Sequence, residues 1–483
     1  MPGLQKELLK FCTLPNKSYL GSYFSKRHKD AKLQAHLNRF LRSTMDEVRL
    51  FEASQCGSLI LGEMDIVEAD HFRWGVLRRE VTADITYSKQ RDHFAHTLYN
   101  YILGWYFFCY CKPISEAFKK HLEIRMLDPY QLEDCFLSSW IYVSLLHDIG
   151  YLFEGSISPL STATQSEHAR RGALVVQDFF QHRLWTSWKI DSPQGRDTLR
   201  AISGTDDPKI DSGTLAGIAD SLRRLGNLDK LRNCAYKEIA KKHDPSTIAD
   251  ILRIGPLPQD AFYLWEAHYR SVGQDSMAKR IKWLSQVFDH LLYKGIGGSG
   301  LRVLDHGVCG GMILLLYSTN YYSTYFGLDI TPPSDPFEKH IWTEFRNTVT
   351  STKAETDPYW WWSGLVWATA ACALHNAQQM NLNEFCDLPV ETQLSESEFR
   401  LKLEEDPLAY LGILVDCVQE WDRFTTAQES IIGGELPLQS LDVSLRHKDD
   451  KVFLALPEKF RKKAEAALDR SLAGWKNYLA LSR

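Results

Sequence analysis

The sequence predicts a mostly α-helical protein, on three observations. Apolar residues recur at three- and four-residue intervals through most of the longer segments, the spacing of one helix face. Strand-like alternation is confined to one short stretch near the C-terminus. Several apolar segments carry a lone histidine or aspartate, so the helices are expected to bring polar groups into their own interior.

Taken in order, residues 1–75 form an N-terminal helical region without recognisable chemistry. Phe94, Leu98, Tyr101, Ile102, Trp105 and Phe108 predict a strong helix over 91–111, and 132–146 predicts a second. A third begins near Glu167 and runs through Ala173, Val176 and Phe179. These helices make 76–184 the first half of the main domain. Residues 185–300 are richer in Asp, Lys, Arg and Ser, with short helical pieces at 248–254, 262–269 and 276–293, and read as an insertion or lid. The basic run 223–242 reads as a solvated helix face. Gly295-Ile296-Gly297-Gly298-Ser299-Gly300 has the spacing of a dinucleotide loop but lacks the preceding strand, so it reads as a linker. Helices resume at 304–317, 360–380 and 408–423, the second half of the domain (301–425). The last opens on Asp406-Pro407, a cap followed by proline at the first helical position. In 426–483, residues 441–445 and 452–456 alternate around Lys448-Asp449-Asp450 and predict a β-hairpin. Phe460, Ala464, Leu468, Leu472, Trp475 and Leu479 predict an amphipathic closing helix over 460–479.

The chain of 483 residues carries a formal net charge of −5, which offers no global field toward nucleic acid or an anionic membrane. Its ten cysteines are scattered without a CxxC pair and read as buried thiols of a reducing compartment. The N-terminal residues hold no apolar signal region, and the longest apolar runs, 101–111 and 360–374, fall short of the ~20 residues that span a bilayer. A cytoplasmic protein is expected.

The stretch Ser144-Leu145-Leu146-His147-Asp148-Ile149-Gly150-Tyr151 carries the chemistry. An apolar run delivers adjacent imidazole and carboxylate groups, and a buried carboxylate without compensation costs several kcal/mol. Four other segments place such groups on apolar helices: Arg91-Asp92-His93-Phe94-Ala95-His96, Asp305-His306-Gly307, Ala373-Leu374-His375-Asn376 and Leu414-Val415-Asp416-Cys417. Gly310, Ala371 and Gly412 stand four residues from His306, His375 and Asp416, and small neighbours there are expected to leave room for an ion. Any one of these histidines, alone, is a hydrogen-bonded core residue. Together, His96, His147, His306 and His375 with Asp148 and Asp416 make up a dinuclear site for divalent transition ions.

The order His96, His147-Asp148, His306, His375, Asp416 resembles the H…HD…H…H…D pattern of the HD superfamily of metal-dependent phosphohydrolases. His147-Asp148-Ile149-Gly150, with Arg91 and His96 upstream, carries most of the likeness. Asp406-Pro407-Leu408-Ala409 leading to Asp416 and Gln419-Glu420-Trp421 resembles the final helix of bacterial members. The likeness covers roughly 85–155 and 300–425. It implies an HD-domain helical bundle with a helical insertion and a small C-terminal hairpin plus helix. It also implies that His96, His147, Asp148 and Asp416 hold one ion, that His306 and His375 hold a second, and that Asp148 bridges. His147 and Asp148 would be catalytic, with Arg91 beside them. The metals implied are Mn, Fe, Co, Ni or Zn, with Mg admitted, and the reaction is attack of a metal-bridged hydroxide on a phosphoester or phosphoanhydride of a nucleotide-like small molecule. A deoxynucleotide triphosphohydrolase and an HD nuclease are rivals within that class, and a non-catalytic ligand sensor or scaffold is the rival outside it. Nucleic acid is not the favoured partner, no membrane is expected, and an oligomer is compatible.

The separation between His147-Asp148 and His306 is longer than the pattern usually has. His168, in Glu167-His168-Ala169-Arg170-Arg171-Gly172, competes for the third position. His306 is preferred because His-Gly before a glycine pair suits close approach of an ion. His168, Arg170 and Arg171 are then either substrate-binding candidates or simply a charged helix face. His93 is a candidate either to orient His96 or a water, or to stand as a plain surface residue. His243-Asp244 reads as a helix start, and Tyr359-Trp360-Trp361-Trp362 as core or interface.

Overall fold

The computed structural model describes residues 3–13, 23–63, 73, 93–124, 132–152, 258–293, 305–312, 314–315, 358–376, 388–422 and 438–482. The described chain is mostly helical, with one three-stranded sheet near the C-terminus. Its contacts divide it into two units: Met1–Asp148 with Gln378–Met380 and Leu394–Arg483, and Ile149–Ala377 with Asn381–Gln393. Among the described residues no helix is long and apolar enough to cross a membrane. The helix expected from Glu167, the piece at 248–254, the basic run, the glycine-rich loop and His243-Asp244 lie outside the described residues, as do the side chains of 359–362.

The first unit opens with α1 (Gly3–Cys12), α2 (Tyr23–Arg27), α3 (Ala31–Arg42) and α4 (Asp46–Glu63). Its centre is α5 (His93–Tyr110), buried at every position from Phe94 to Phe108. A helix that is apolar all round needs cover all round, and α1, α4, α6 (Lys112–Ile124) and α7 (Leu132–Leu145) pack on it. Gly104 lets the indole of Trp140 lie on the α5 backbone, where its Nε1 donates to the Tyr101 carbonyl at 3.0 Å. Phe108 and Phe136 stack beside it with centroids 4.0 Å apart. The short α8 (Glu396–Phe399) leads into α9 (Pro407–Val418), which also packs on α5, α6 and α7. The expected cap is present: the Asp406 carboxylate accepts from the amides of Leu408 and Ala409, both at 2.9 Å, with Pro407 at the first helical position.

A C-terminal hairpin forms, but its first strand lies three residues later than the expected 441–445, because Ser440–Asp442 coil into a 3-10 turn. Strands β1 (Ser444–Lys448) and β2 (Lys451–Ala455) pair antiparallel across Asp449-Asp450, both at positive φ (51° and 58°) as a tight two-residue hairpin turn demands. The closing helix is shorter than expected. It runs Glu458–Ser471 (α10), after which Leu472 turns extended and Gly474 adopts φ 68°. Leu472 pairs with Leu401, whose amide donates to the Ser471 carbonyl at 2.8 Å, and Leu479–Ser482 becomes β3, parallel to β2. Strand pairing outweighs a helical periodicity that by itself would continue to Leu479.

The second unit contains α11 (Pro258–Ser271), α12 (Asp275–Tyr293), a helical stretch at 306–312 and α13 (Pro358–Leu374), numbered here after the first unit. α11 packs on α12 and α13, and Trp265 Nε1 donates to Thr369 Oγ1 at 3.1 Å. Gly311 lies against the backbone of α13, where a β-carbon would sit 2.6 Å from the Thr369 carbonyl. Gly150 is in a similar position: a β-carbon would overlap the His306 carbonyl and the Gly310 amide. Backbone obstacles of this kind cannot swing aside. Gly150→Ala is therefore expected to destabilise the second unit by about 3 kcal/mol, the upper part of the overpacking range, read as a fall in its urea midpoint. A midpoint within experimental error of the parent would mean that the close approach does not exist.

Candidate metal centre

In the first unit, three helical elements bring four of the expected ligands together. His96 comes from α5, Asp416 from the last turn of α9, and His147 and Asp148 from a 3-10 turn (His147–Leu152) that follows α7. His96 Nε2 lies 2.9 Å from Asp416 Oδ1 and 3.8 Å from Asp148 Oδ2. His147 Nε2 lies 3.2 Å from Asp148 Oδ1 and 3.7 Å from Asp416 Oδ1. One donor atom each from His96, His147 and Asp416 falls within 4.8 Å of the others. Donors about 2.0–2.2 Å from one ion stand roughly 3–3.5 Å apart, so this set fits a divalent cation.

The outer contacts orient the imidazoles. His147 Nδ1 donates to the Ser144 carbonyl at 2.9 Å, which turns Nε2 toward the two carboxylates. His96 Nδ1 donates to Gln419 Oε1, and the Gln419 amide is itself fixed by donating to the Trp421 carbonyl at 2.7 Å. Each ring therefore offers Nε2 to the same place, the usual arrangement of ligand histidines. His93 Nε2 stands 3.5 Å from Asp148 Oδ2, on the outer side of the cluster. Asn100, one turn on from His96, places its amide 3.2 Å from His96 Nε2 and 3.4 Å from Asp416 Oδ1.

Sequence reasoning passed over Asn100, and noted Gln419 only as part of a likeness. The four-residue step from His96 to Asn100 was the available signal for the first. For the second there was none, because Gln419 leaves the helix that was expected to run to 423. The small residue at 412 also serves another purpose than expected. A β-carbon on Gly412 would meet Val143 Cγ1 at 2.6 Å, so the glycine lets α9 close on α7 and opens no space for an ion.

Charge is concentrated here. Burial opposes ionisation of Asp416, but hydrogen bonds from His147 and His96 outweigh it and hold the carboxyl well below the usual range. Burial likewise disfavours the His147 cation, yet Asp148 and then Asp416 carry its pKa up to about 10. In the metal-free protein this raised group contributes stability that is complete below the unfolded value near 6.5 and is lost as pH rises through about 10. A metal must displace that proton. Apparent metal affinity is accordingly expected to rise by at least about tenfold per pH unit between neutrality and pH 10, with the His147 proton released to the buffer. Titration calorimetry in buffers of different ionisation enthalpy reads the proton directly, and binding without proton release would contradict this charge assignment.

The second unit holds the other two expected ligands as a pair. His306 and His375 face each other with Nε2 atoms 3.2 Å apart, and both are buried. His375 Nδ1 donates to the Cys372 carbonyl at 2.6 Å. Asp305 caps the 306–312 stretch, accepting from Val308 N at 2.9 Å, and also accepts from Asn376 Nδ2 at 2.7 Å. That same Asn376 nitrogen faces His306 Nδ1 at 3.4 Å. With Asn376 donating to His306 Nδ1, the His306 proton would stand on Nε2 toward His375, and an ion held through Nε2 would need it on Nδ1. Arg91, His168, Arg170 and Arg171 lie outside the described residues.

Comparison with family models, curated protein sequences and solved structures returns no match. What the structure defines is a helical protein with a buried His/Asp cluster able to hold a metal ion.

Proposed function

We propose that this chain is an HD-type metal-dependent phosphohydrolase that cleaves a phosphoester or phosphoanhydride bond of a nucleotide-like small molecule. The supporting observation is the convergence of His96, His147, Asp148 and Asp416, in the order H…HD…D, with both imidazoles oriented through Nδ1. A bound divalent ion supplies a water of lowered pKa and polarises a phosphoryl oxygen. His96 and His147 bind through Nε2, while Asp148 and Asp416 provide the negative charge that offsets the cation. In the two-ion form of this reading, His306 and His375 hold the second ion. The mixed imidazole and carboxylate set suits Mn, Fe, Co, Ni or Zn better than Mg. Arg91, Arg170 and Arg171 are the proposed neutralisers of substrate phosphate, and His168 is a further substrate-binding candidate. The acidic net charge favours a small substrate over a polyanion.

The test is metal analysis of the purified full chain, together with a panel of nucleotides and phosphodiesters assayed in Mn²⁺, Co²⁺, Zn²⁺ and Mg²⁺. About two ions per chain and turnover of at least one phosphorylated substrate are expected. A chain that binds no divalent ion and turns over nothing on the panel is a scaffold, and the proposal fails. In the His306→Ala/His375→Ala variant the metal content is expected to fall by half. If it stays at the parent value, the second ion is not held by this pair.

A further inference from the structure

We infer that Asn100 is a further ligand of the ion held by His96 and Asp416, its amide oxygen entering the coordination shell when the metal binds. The inference rests on the metal-dependent reading of this site. Asn100 is 1% exposed, and the end of its amide placed as Nδ2 faces two proposed donor atoms, His96 Nε2 and Asp416 Oδ1. The other end, Oδ1, is buried with no hydrogen-bond partner among the described residues.

A half-turn of the amide exchanges its oxygen and nitrogen without changing its shape. In the metal-free protein the NH₂ end suits the Asp416 carboxylate. Once a cation occupies the lone pairs of His96 Nε2 and Asp416 Oδ1, an NH₂ aimed at the same point meets positive charge, and the oxygen is the end that fits. Separations of 3.2 and 3.4 Å from the two donors are those of neighbouring ligands on one ion, about 3–3.5 Å. Leu98 and Ile102 beside it on α5 are apolar, and Asn100 continues the polar line of His96 and Thr97 toward the cluster. With Asn100 included, the shell contains two imidazole nitrogens, a carboxylate oxygen and an amide oxygen. That balance shifts preference toward the harder Mn²⁺ and Fe²⁺.

The experiment is a Mn²⁺ titration of the full chain, followed by the EPR signal of free Mn²⁺, with visible absorption of the Co²⁺-loaded protein as a measure of coordination number. Asn100→Ala is expected to weaken Mn²⁺ binding by more than the roughly 10–100-fold typical of outer contacts, and to intensify the Co²⁺ bands as a ligand is lost. Asn100→Asp, which keeps an oxygen in place, is expected to bind Mn²⁺ as tightly as the parent or more so. His147→Ala is the control for the site itself. If it loses binding while Asn100→Ala retains parent affinity and parent Co²⁺ bands, Asn100 is not a ligand and the site stands. If His147→Ala binds Mn²⁺ like the parent, the site and this inference fall together. Should Asn100→Ala not fold, Asn100→Asp decides, and weakened Mn²⁺ binding there overturns the inference.

Discussion

Replacing His147 with alanine is expected to lower metal-dependent hydrolysis by about 10³-fold or more and to reduce binding of the first ion in parallel. The imidazole is 1% exposed, and its Nε2 lies within 3.7 Å of both carboxylates, so no neighbouring group can substitute for it. A metal ion contributes several kcal/mol of transition-state charge stabilisation, and each ~1.4 kcal/mol is a factor of ten. Asp416→Asn is expected to act in the same direction with less disturbance of shape, because the side chain keeps its volume and loses the charge that offsets the cation. Steady-state turnover of whichever substrate the panel identifies, with Mn²⁺ affinity measured on the same preparations, checks both. Turnover within about tenfold of the parent in His147→Ala would place the chemistry elsewhere in the chain.

The elements legible in the sequence are those whose cause is local. Asp406-Pro407 announces its helix because cap and proline act within one turn. Asp449-Asp450 announces its hairpin because aspartate tolerates positive φ. The buried helix over 93–110 is visible because Phe94, Leu98, Tyr101, Ile102, Trp105 and Phe108 recur at helical spacing. Partners far away in sequence account for what was missed. Leu472 abandons the helix for Leu401, and β3 follows from that pairing. Gln419 leaves its helix to reach His96, a contact that no spacing rule could propose. At the site, His96, His147, Asp148 and Asp416 stand out because imidazoles and carboxylates are costly inside apolar runs. Asn100 carries no charge and is easily passed over in such a run.

The strongest effect expected on stability lies where the chain turns after α9. Asp422, at φ 56°, receives hydrogen bonds from Ser440 N at 2.9 Å and from Tyr99 OH at 2.9 Å, and pairs with Arg49 of α4. Arg49 also reaches Tyr99 OH at 2.8 Å and Ser440 Oγ at 3.3 Å, while Gln5 of α1 donates to the same Ser440 oxygen at 3.1 Å. Both charged groups are buried, at 2% and 1% exposure, so neither can turn to water when its partner is removed. Asp422→Ala is therefore expected to cost about 3–5 kcal/mol, because an uncompensated guanidinium stays inside. Arg49→Met/Asp422→Leu removes both charges and is expected to cost less than the sum of the single changes. Urea midpoints of the two single variants and the double variant close the cycle, and additive costs would show that the pair is not coupled. The same turn carries Gln419 three residues earlier, and Tyr99 stands three residues beyond His96 on α5, so the node fixes both sides of the Gln419–His96 contact. In any Asp422 variant that still folds, Mn²⁺ affinity is expected to fall by about tenfold even though Asp422 contacts no proposed ligand. Lost stability with parent Mn²⁺ affinity would make the node a structural anchor alone, and would leave the orientation of His96 to Gln419 and its bond to the Trp421 carbonyl.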